Sequence, residues 1–135
     1  MRVSGGCLCG AVRFEAEGEP FQETFCHCTI CRRASGASPV AWVTFPADGF
    51  RYTRGAAKTF RSSDHGHRFF CGDCGSPLYV QVSTRPDLVG LRVGTLDDPS
   101  GFRAEADIFV KSAQPWDYMN PALPKYDTYP PGKSY

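Results

Sequence analysis

The sequence predicts an all-β fold, a compact set of short antiparallel strands with one short helix, stabilised by zinc. Three observations carry this expectation. Apolar and polar residues alternate with period two in several short runs, glycine and proline are frequent at 14 and 11 of 135 residues, and seven cysteines fall into three tight groups.

The elements follow in order. Val12 to Glu17 alternates as a half-buried strand does. Thr29 to about Ser35 is the helical candidate, with Thr29 as N-cap and Gly36 as the stop. Val40 to Phe45 is a continuous apolar run that ends at Pro46, which reads as a buried strand with a terminator. Further strands are expected at Phe50–Thr53, Thr59–Ser62, His67–Phe70, Leu78–Val82, Leu88–Val93 and Ala104–Val110, separated by turn clusters such as Ala47-Asp48-Gly49 and Asp97-Asp98-Pro99-Ser100-Gly101. Ser112 to Tyr135 contains five prolines and no clean period. It reads as an extended C-terminal strap on a single domain spanning 1–135, anchored by Trp116 and Tyr118. Trp42, Phe69 and Phe70 read as core rather than pocket wall.

The cysteines carry the chemistry. Cys7 and Cys9 stand one residue apart, so on an extended strand both thiols project from one face. In Cys71-Gly72-Asp73-Cys74-Gly75 the two-residue spacer lets the backbone curl both sulfurs inward, with Gly72 and Gly75 free to adopt positive φ. Together these half-sites make one four-thiolate cage, and soft thiolates in tetrahedral array favour zinc. The middle group, Cys26-His27-Cys28-Thr29-Ile30-Cys31, supplies three thiols: Cys26 and Cys28 share a face, and the first helical turn returns Cys31 to the same locus. Two readings stay open for it. Either the fourth position is left free, as in catalytic zinc, or His65 or His67 closes the site into a second structural one. His27 points away from its neighbours' thiols if the segment is extended and is expected to be a hydrogen-bonded or surface histidine. Arg32 and Arg33 follow Cys31 directly and could grip a carboxylate of an anionic substrate.

Composition excludes several classes. The odd cysteine count and the absence of an apolar leader in Met1-Arg2-Val3-Ser4-Gly5 argue against a disulfide framework, and the expected setting is cytoplasmic, where thiols stay reduced. No run is long and apolar enough to span a bilayer, so no membrane partner is expected. The formal charge of +1 becomes about −2 with seven thiolates and two zinc ions, which disfavours nucleic acid. There is no phosphate loop, dinucleotide fingerprint, nucleophile elbow or HExxH helix. Nothing in the sequence sets an oligomeric state.

On these residues the chain resembles the glutathione-dependent formaldehyde-activating enzyme family, which also includes centromere protein V-like proteins. The likeness runs from Gly6-Cys7-Leu8-Cys9-Gly10-Ala11-Val12 through Cys26-His27-Cys28-Thr29-Ile30-Cys31-Arg32-Arg33 and Phe70-Cys71-Gly72-Asp73-Cys74-Gly75-Ser76 to Val110-Lys111-Ser112 and Pro115-Trp116. The resemblance implies a fold of the Mss4-like type, a structural zinc on Cys7, Cys9, Cys71 and Cys74, and a second, active-site zinc on Cys26, Cys28 and Cys31. It also implies a carbon–sulfur lyase reaction run in the direction of addition, glutathione joining formaldehyde to give S-hydroxymethylglutathione. Three thiolates leave zinc with a net charge of −1, better suited to meeting a soft thiol than to making hydroxide. Arg32 or Arg33 would then hold a carboxylate of the tripeptide. The rival reading is a non-catalytic, zinc-stabilised binding module with both sites closed.

Overall fold

Alternation along the short runs decides which side of each strand meets the core. In the computed structural model, which describes residues 1–135, Arg13–Glu17 (β2) buries Phe14 and Ala16 and turns Glu15 and Glu17 outward. It lies between Arg2–Gly6 (β1) and Phe50–Arg54 (β5) in a three-stranded antiparallel sheet. A seven-stranded sheet runs in the order Ala106–Ile108 (β10), Gln22–Cys26 (β3), Val40–Pro46 (β4), Arg85–Arg92 (β9), Pro77–Val82 (β8), Gly66–Phe70 (β7) and Lys58–Arg61 (β6). Pairing is antiparallel throughout except that β10 lies parallel to β3, with Ile108 opposite Cys26. The fold is therefore mostly β with one short helix, Thr29–Ser35 (α1), which connects β3 to β4. No helix is long and apolar enough to cross a membrane.

The core lies between the sheets, where Phe14, Val43, Phe45, Leu78, Val89 and Leu91 are all at most 1% exposed. A smaller cluster joins Trp42, Val40, Ala106 and Ile108 to Cys26 and Cys31. The thiols of the middle group thus grow out of packed sheet, a firmer footing than a free loop would give.

Several details differ from the sequence expectation. β1 and β3 carry no apolar alternation: β1 contains Gly5 and Gly6, and β3 buries Gln22 and Thr24 along with Cys26. Gly5 is small of necessity, since a Cβ there would stand 2.4 Å from the Thr95 carbonyl oxygen. The N-cap of α1 is Cys28 rather than Thr29, its sulfur accepting the Cys31 N–H at 3.2 Å, while Gly36 ends the helix in the left-handed region as expected.

Trp116 and Tyr118 are not anchors, being 65% and 66% exposed. The segment after Ser112 is held by backbone pairing of Tyr126 with Asp107 and Val110, by Tyr129 edge-on to Phe109 at 5.0 Å, by the Lys133 Nζ bond to the Phe21 carbonyl, and by the Tyr135 hydroxyl on Thr44.

Trp116→Ala should accordingly change stability by no more than about 0.5 kcal/mol, the behaviour of an exposed side chain. Phe45→Ala should cost about 3–5 kcal/mol. Chemical denaturation of the two variants measures both.

Candidate functional site

Where the thiols meet follows from local backbone. β1 ends at Gly6, so Cys7, Leu8 and Cys9 form a turn and not the strand expected, closed by the Gly10 N–H on the Cys7 carbonyl at 3.2 Å. Cys71 to Cys74 form the second turn, with the Gly75 N–H on the Cys71 carbonyl at 2.9 Å and Gly75 at φ 78°. Gly72 has no positive φ, and a Cβ there would meet only the side chain of the exposed Lys58, 2.7 Å from its Cε. The four sulfurs of Cys7, Cys9, Cys71 and Cys74 lie within 4.8 Å of one another, with Cys7 and Cys9 at 3.6 Å and Cys9 and Cys71 at 3.8 Å. Backbone N–H groups of Val12 and Asp73 donate to Cys7 and Cys71, as suits thiolates. Such an all-sulfur donor set fits a closed, structural type of metal cage.

Cys26, Cys28 and Cys31 form the second group, again within 4.8 Å of one another. Cys26 is the last residue of β3, Cys28 is extended at φ −71° and ψ 152°, and Cys31 sits one helical turn on. No histidine, carboxylate or further thiol joins them within that span. His65 and His67 line the same cavity but stand apart from the trio; His65 is exposed and bonds Ser83 Oγ at 3.1 Å. Three thiol donors with no fourth protein donor fit an ion that keeps a position open.

The trio stands at the wall of a cavity of about 240 Å³ that is also lined by Trp42, Arg68, Phe109, Tyr129 and Tyr135. Trp42 is therefore both core and wall. Within the trio negative charge falls first on Cys31, whose pKa is lowered to about 2 by the hydrogen bonds of Cys26 and Cys28, with further help from the Arg68 guanidinium. Cys26 is pushed far upward, chiefly by donating to Cys28 and Cys31 and also by burial.

Arginine placement departs from the sequence reading. Arg68, on β7, donates from Nη2 to Cys31 Sγ at 3.6 Å and from Nε to Ser62 Oγ at 3.2 Å. Arg92, at the end of β9, is 6% exposed and lies over the Trp42 ring at 4.4 Å from its centroid. Arg33 is exposed and lines a second cavity together with Arg68 and Arg92, and Arg32 lines neither. Phe69 and Phe70 line that second cavity too; Phe69 also packs against the core, and Phe70 belongs to the wall. A charged residue within the apolar run Leu88 to Val93 was the sequence signal for Arg92; Arg68 gave none.

His27 is hydrogen-bonded and fully buried. Its Nε2 lies 2.8 Å from Asp107 Oδ1 and its Nδ1 lies 2.7 Å from Asp117 Oδ2, so each ring nitrogen has a carboxylate partner. Asp107 also faces Lys125 Nζ at 3.3 Å, and Asp117 accepts from Ser38 at 2.8 Å. Burial acts to raise the Asp117 carboxyl, but the hydrogen bonds from His27 and Ser38 outweigh it and hold it below its ordinary value.

Comparison with known proteins now bears on the site. A sequence profile described as glutathione-dependent formaldehyde-activating enzyme matches residues 2–112. A Halomonas elongata protein provisionally given that same name is 33% identical over 97 residues, covering 66% of this chain and 62% of the relative. An uncharacterized lyase of Schizosaccharomyces pombe is 30% identical over 82 residues, covering 56% of this chain and 54% of the relative. The chain thus spans between half and two thirds of the length of these curated relatives. A crystal structure of a Rhodobacter sphaeroides protein shares the fold at a TM-score of 0.61 and 24% identity, covering 91% of this chain and 98% of the other.

His27→Ala should cost about 3–5 kcal/mol, because it takes a close bond from each of two buried carboxylates and leaves Asp107 with Lys125 and Asp117 with Ser38. The stabilisation from Asp117 has a sign fixed by its lowered pKa. It is fully present above the ordinary value of 3.8 and is lost as pH falls through the lower folded value. Denaturation of wild type and Asp117→Asn between neutral and acid pH measures this, and the gap between them should narrow on the acid side.

Proposed function

Because the chain belongs to the glutathione-dependent formaldehyde-activating enzyme family, we propose that it is a lyase-type enzyme that joins glutathione, or a similar thiol, to formaldehyde or a related small electrophile. The observation that carries this reading is the three-thiol group on a cavity with no fourth protein donor in reach. In this reading Cys26, Cys28 and Cys31 hold an active-site zinc, and Cys7, Cys9, Cys71 and Cys74 hold a structural one, two per chain. A zinc ion so held supplies a Lewis-acidic position that lowers the pKa of a thiol reaching it.

The protein's own groups do the rest. Arg68, bonded to Cys31, offsets negative charge where sulfur donors crowd together. Arg68, which lines the thiol-lined cavity, stands where a carboxylate of the tripeptide could be held; Arg33 lines only the second cavity and Arg32 lines neither. Trp42, Phe109 and Tyr129 exclude water from the cavity beside the thiols. His27 is a positioning residue: its two carboxylate bonds fix the backbone between Cys26 and Cys28, so that both sulfurs stay on the cavity side.

Freshly purified protein should contain about two zinc ions per chain. Cys74→Ser should lose stability along with metal, since its cage ties the N-terminal turn to one over sixty residues on, while Cys28→Ser should lose one zinc and keep most of its fold. Metal analysis and thermal melting of the two variants check this.

Glutathione should bind the zinc-loaded protein with proton release and S-methylglutathione much more weakly, both read by calorimetry in buffers of different ionisation heat. Equal binding of the two without proton release would favour the non-catalytic binding module.

A further inference from the structure

The second cavity, of about 560 Å³, adjoins the thiol-lined one, and Ile30, Ser62 and Arg68 line both. Its walls combine two chemistries. Phe60, Phe69 and Tyr79 give an apolar and aromatic surface, with Phe60 64% exposed. Arg33, Arg68 and Arg92 supply three guanidiniums, none within 4.0 Å of a carboxylate. Arg92 is 6% exposed, and Nη1 of Arg68 is buried with no hydrogen-bond partner. A buried guanidinium with no carboxylate beside it, and a second with an unpartnered buried nitrogen, mark a place where an anion can be received.

Balancing the thiolates does not account for all three. Arg68 does that work through Nη2 at Cys31. Arg92 rests instead on the Trp42 ring, and burial outweighs the nearby thiols, drawing its pKa down to about 10. Arg33 faces outward from α1. Formaldehyde, with one carbon and no charge, uses neither the arginines nor the aromatic wall.

We propose that this groove binds the second substrate, an aldehyde carrying a carboxylate on an aromatic or apolar body. The carboxylate would lie on Arg33 and Arg92, the body on Phe60 and Phe69, and the carbonyl at the Arg68 junction that opens toward the thiol site. This inference rests on the thiol-addition reading above. Addition forms one S–C bond, opens the C=O π bond and leaves the thiol proton on the new hydroxyl, so thiol and aldehyde alone balance the step.

The test uses zinc-loaded protein and an unreactive probe, 4-methylbenzoate, followed by calorimetry and by NMR of the groove residues. Saturable binding is expected, at least about tenfold tighter than that of the uncharged 4-methylbenzamide, and weakened at least about tenfold by Arg92→Gln. Arg33→Glu, on the exposed helix face, should weaken it as well, and stands in if Arg92→Gln does not fold. With glutathione present, 4-formylbenzoate should be turned over with higher kcat/KM than benzaldehyde, and the arginine variants should erase that preference. Equal binding of the acid and the amide would overturn the proposal. Glutathione addition to formaldehyde without any binding of 4-methylbenzoate would overturn it too, while leaving the thiol-addition reading intact. Binding of 4-methylbenzoate without thiol addition to any aldehyde would overturn both the reading and the groove's role as a substrate site.

Discussion

An extended tripeptide has two faces, and Cys26-His27-Cys28 uses them for opposite purposes. The two sulfurs turn toward the cavity with Cys31, and the imidazole between them turns into the body of the protein, where Asp107 and Asp117 hold it at both nitrogens. That clamp reaches far along the chain. Asp107 belongs to β10, whose parallel pairing with β3 fixes the end of the strand that carries Cys26, and Asp117 belongs to the C-terminal segment that also delivers Tyr129 and Tyr135 to the cavity wall. Sheet, tail and thiol site are therefore fixed by one buried polar group, satisfied at both ends in a setting where leaving either end bare would be costly.

Strand runs with period-two alternation were legible because their burial alternates in the same way, as in β2, and the grouping of the seven cysteines was legible because spacing constrains where sulfurs can meet. β1 and β3 were not, since β1 is thinned by glycines and β3 buries Gln22 and Thr24 where an apolar residue would have given the signal. The helix cap was misread for a chemical reason: the Cys28 sulfur accepts the N–H that a threonine hydroxyl would ordinarily take. The aromatic residues of the tail were misassigned because proline-rich segments hold no period, so exposure of Trp116 and half-burial of Tyr135 leave no trace in the pattern.

The arginines mark the largest gap between sequence and structure. Proximity in sequence pointed to Arg32 and Arg33, but a short helix fans its side chains around its axis, and Arg33 alone reaches a cavity. Arg68 and Arg92 come from β7 and β9, strands that lie either side of β8 in the seven-stranded sheet, and no local pattern brings them to the thiols. Only the pairing of β4 with β9, which sets Arg92 opposite Trp42, makes their approach visible. The electrostatics of the site is in this sense a property of sheet order: the thiols come from one hairpin-like stretch, and the charge that balances them comes across the sheet.

The central claim is that the Cys26, Cys28 and Cys31 ion keeps a position that a thiol can enter. X-ray absorption at the zinc edge of the two-zinc protein measures it directly, as the mean number of sulfur neighbours per zinc. The account predicts about 3.5 for the protein alone, from one four-sulfur and one three-sulfur site, rising to about 4 with glutathione and unchanged with S-methylglutathione. A value that does not move with glutathione, with nitrogen from His65 or His67 completing the second site, would contradict it.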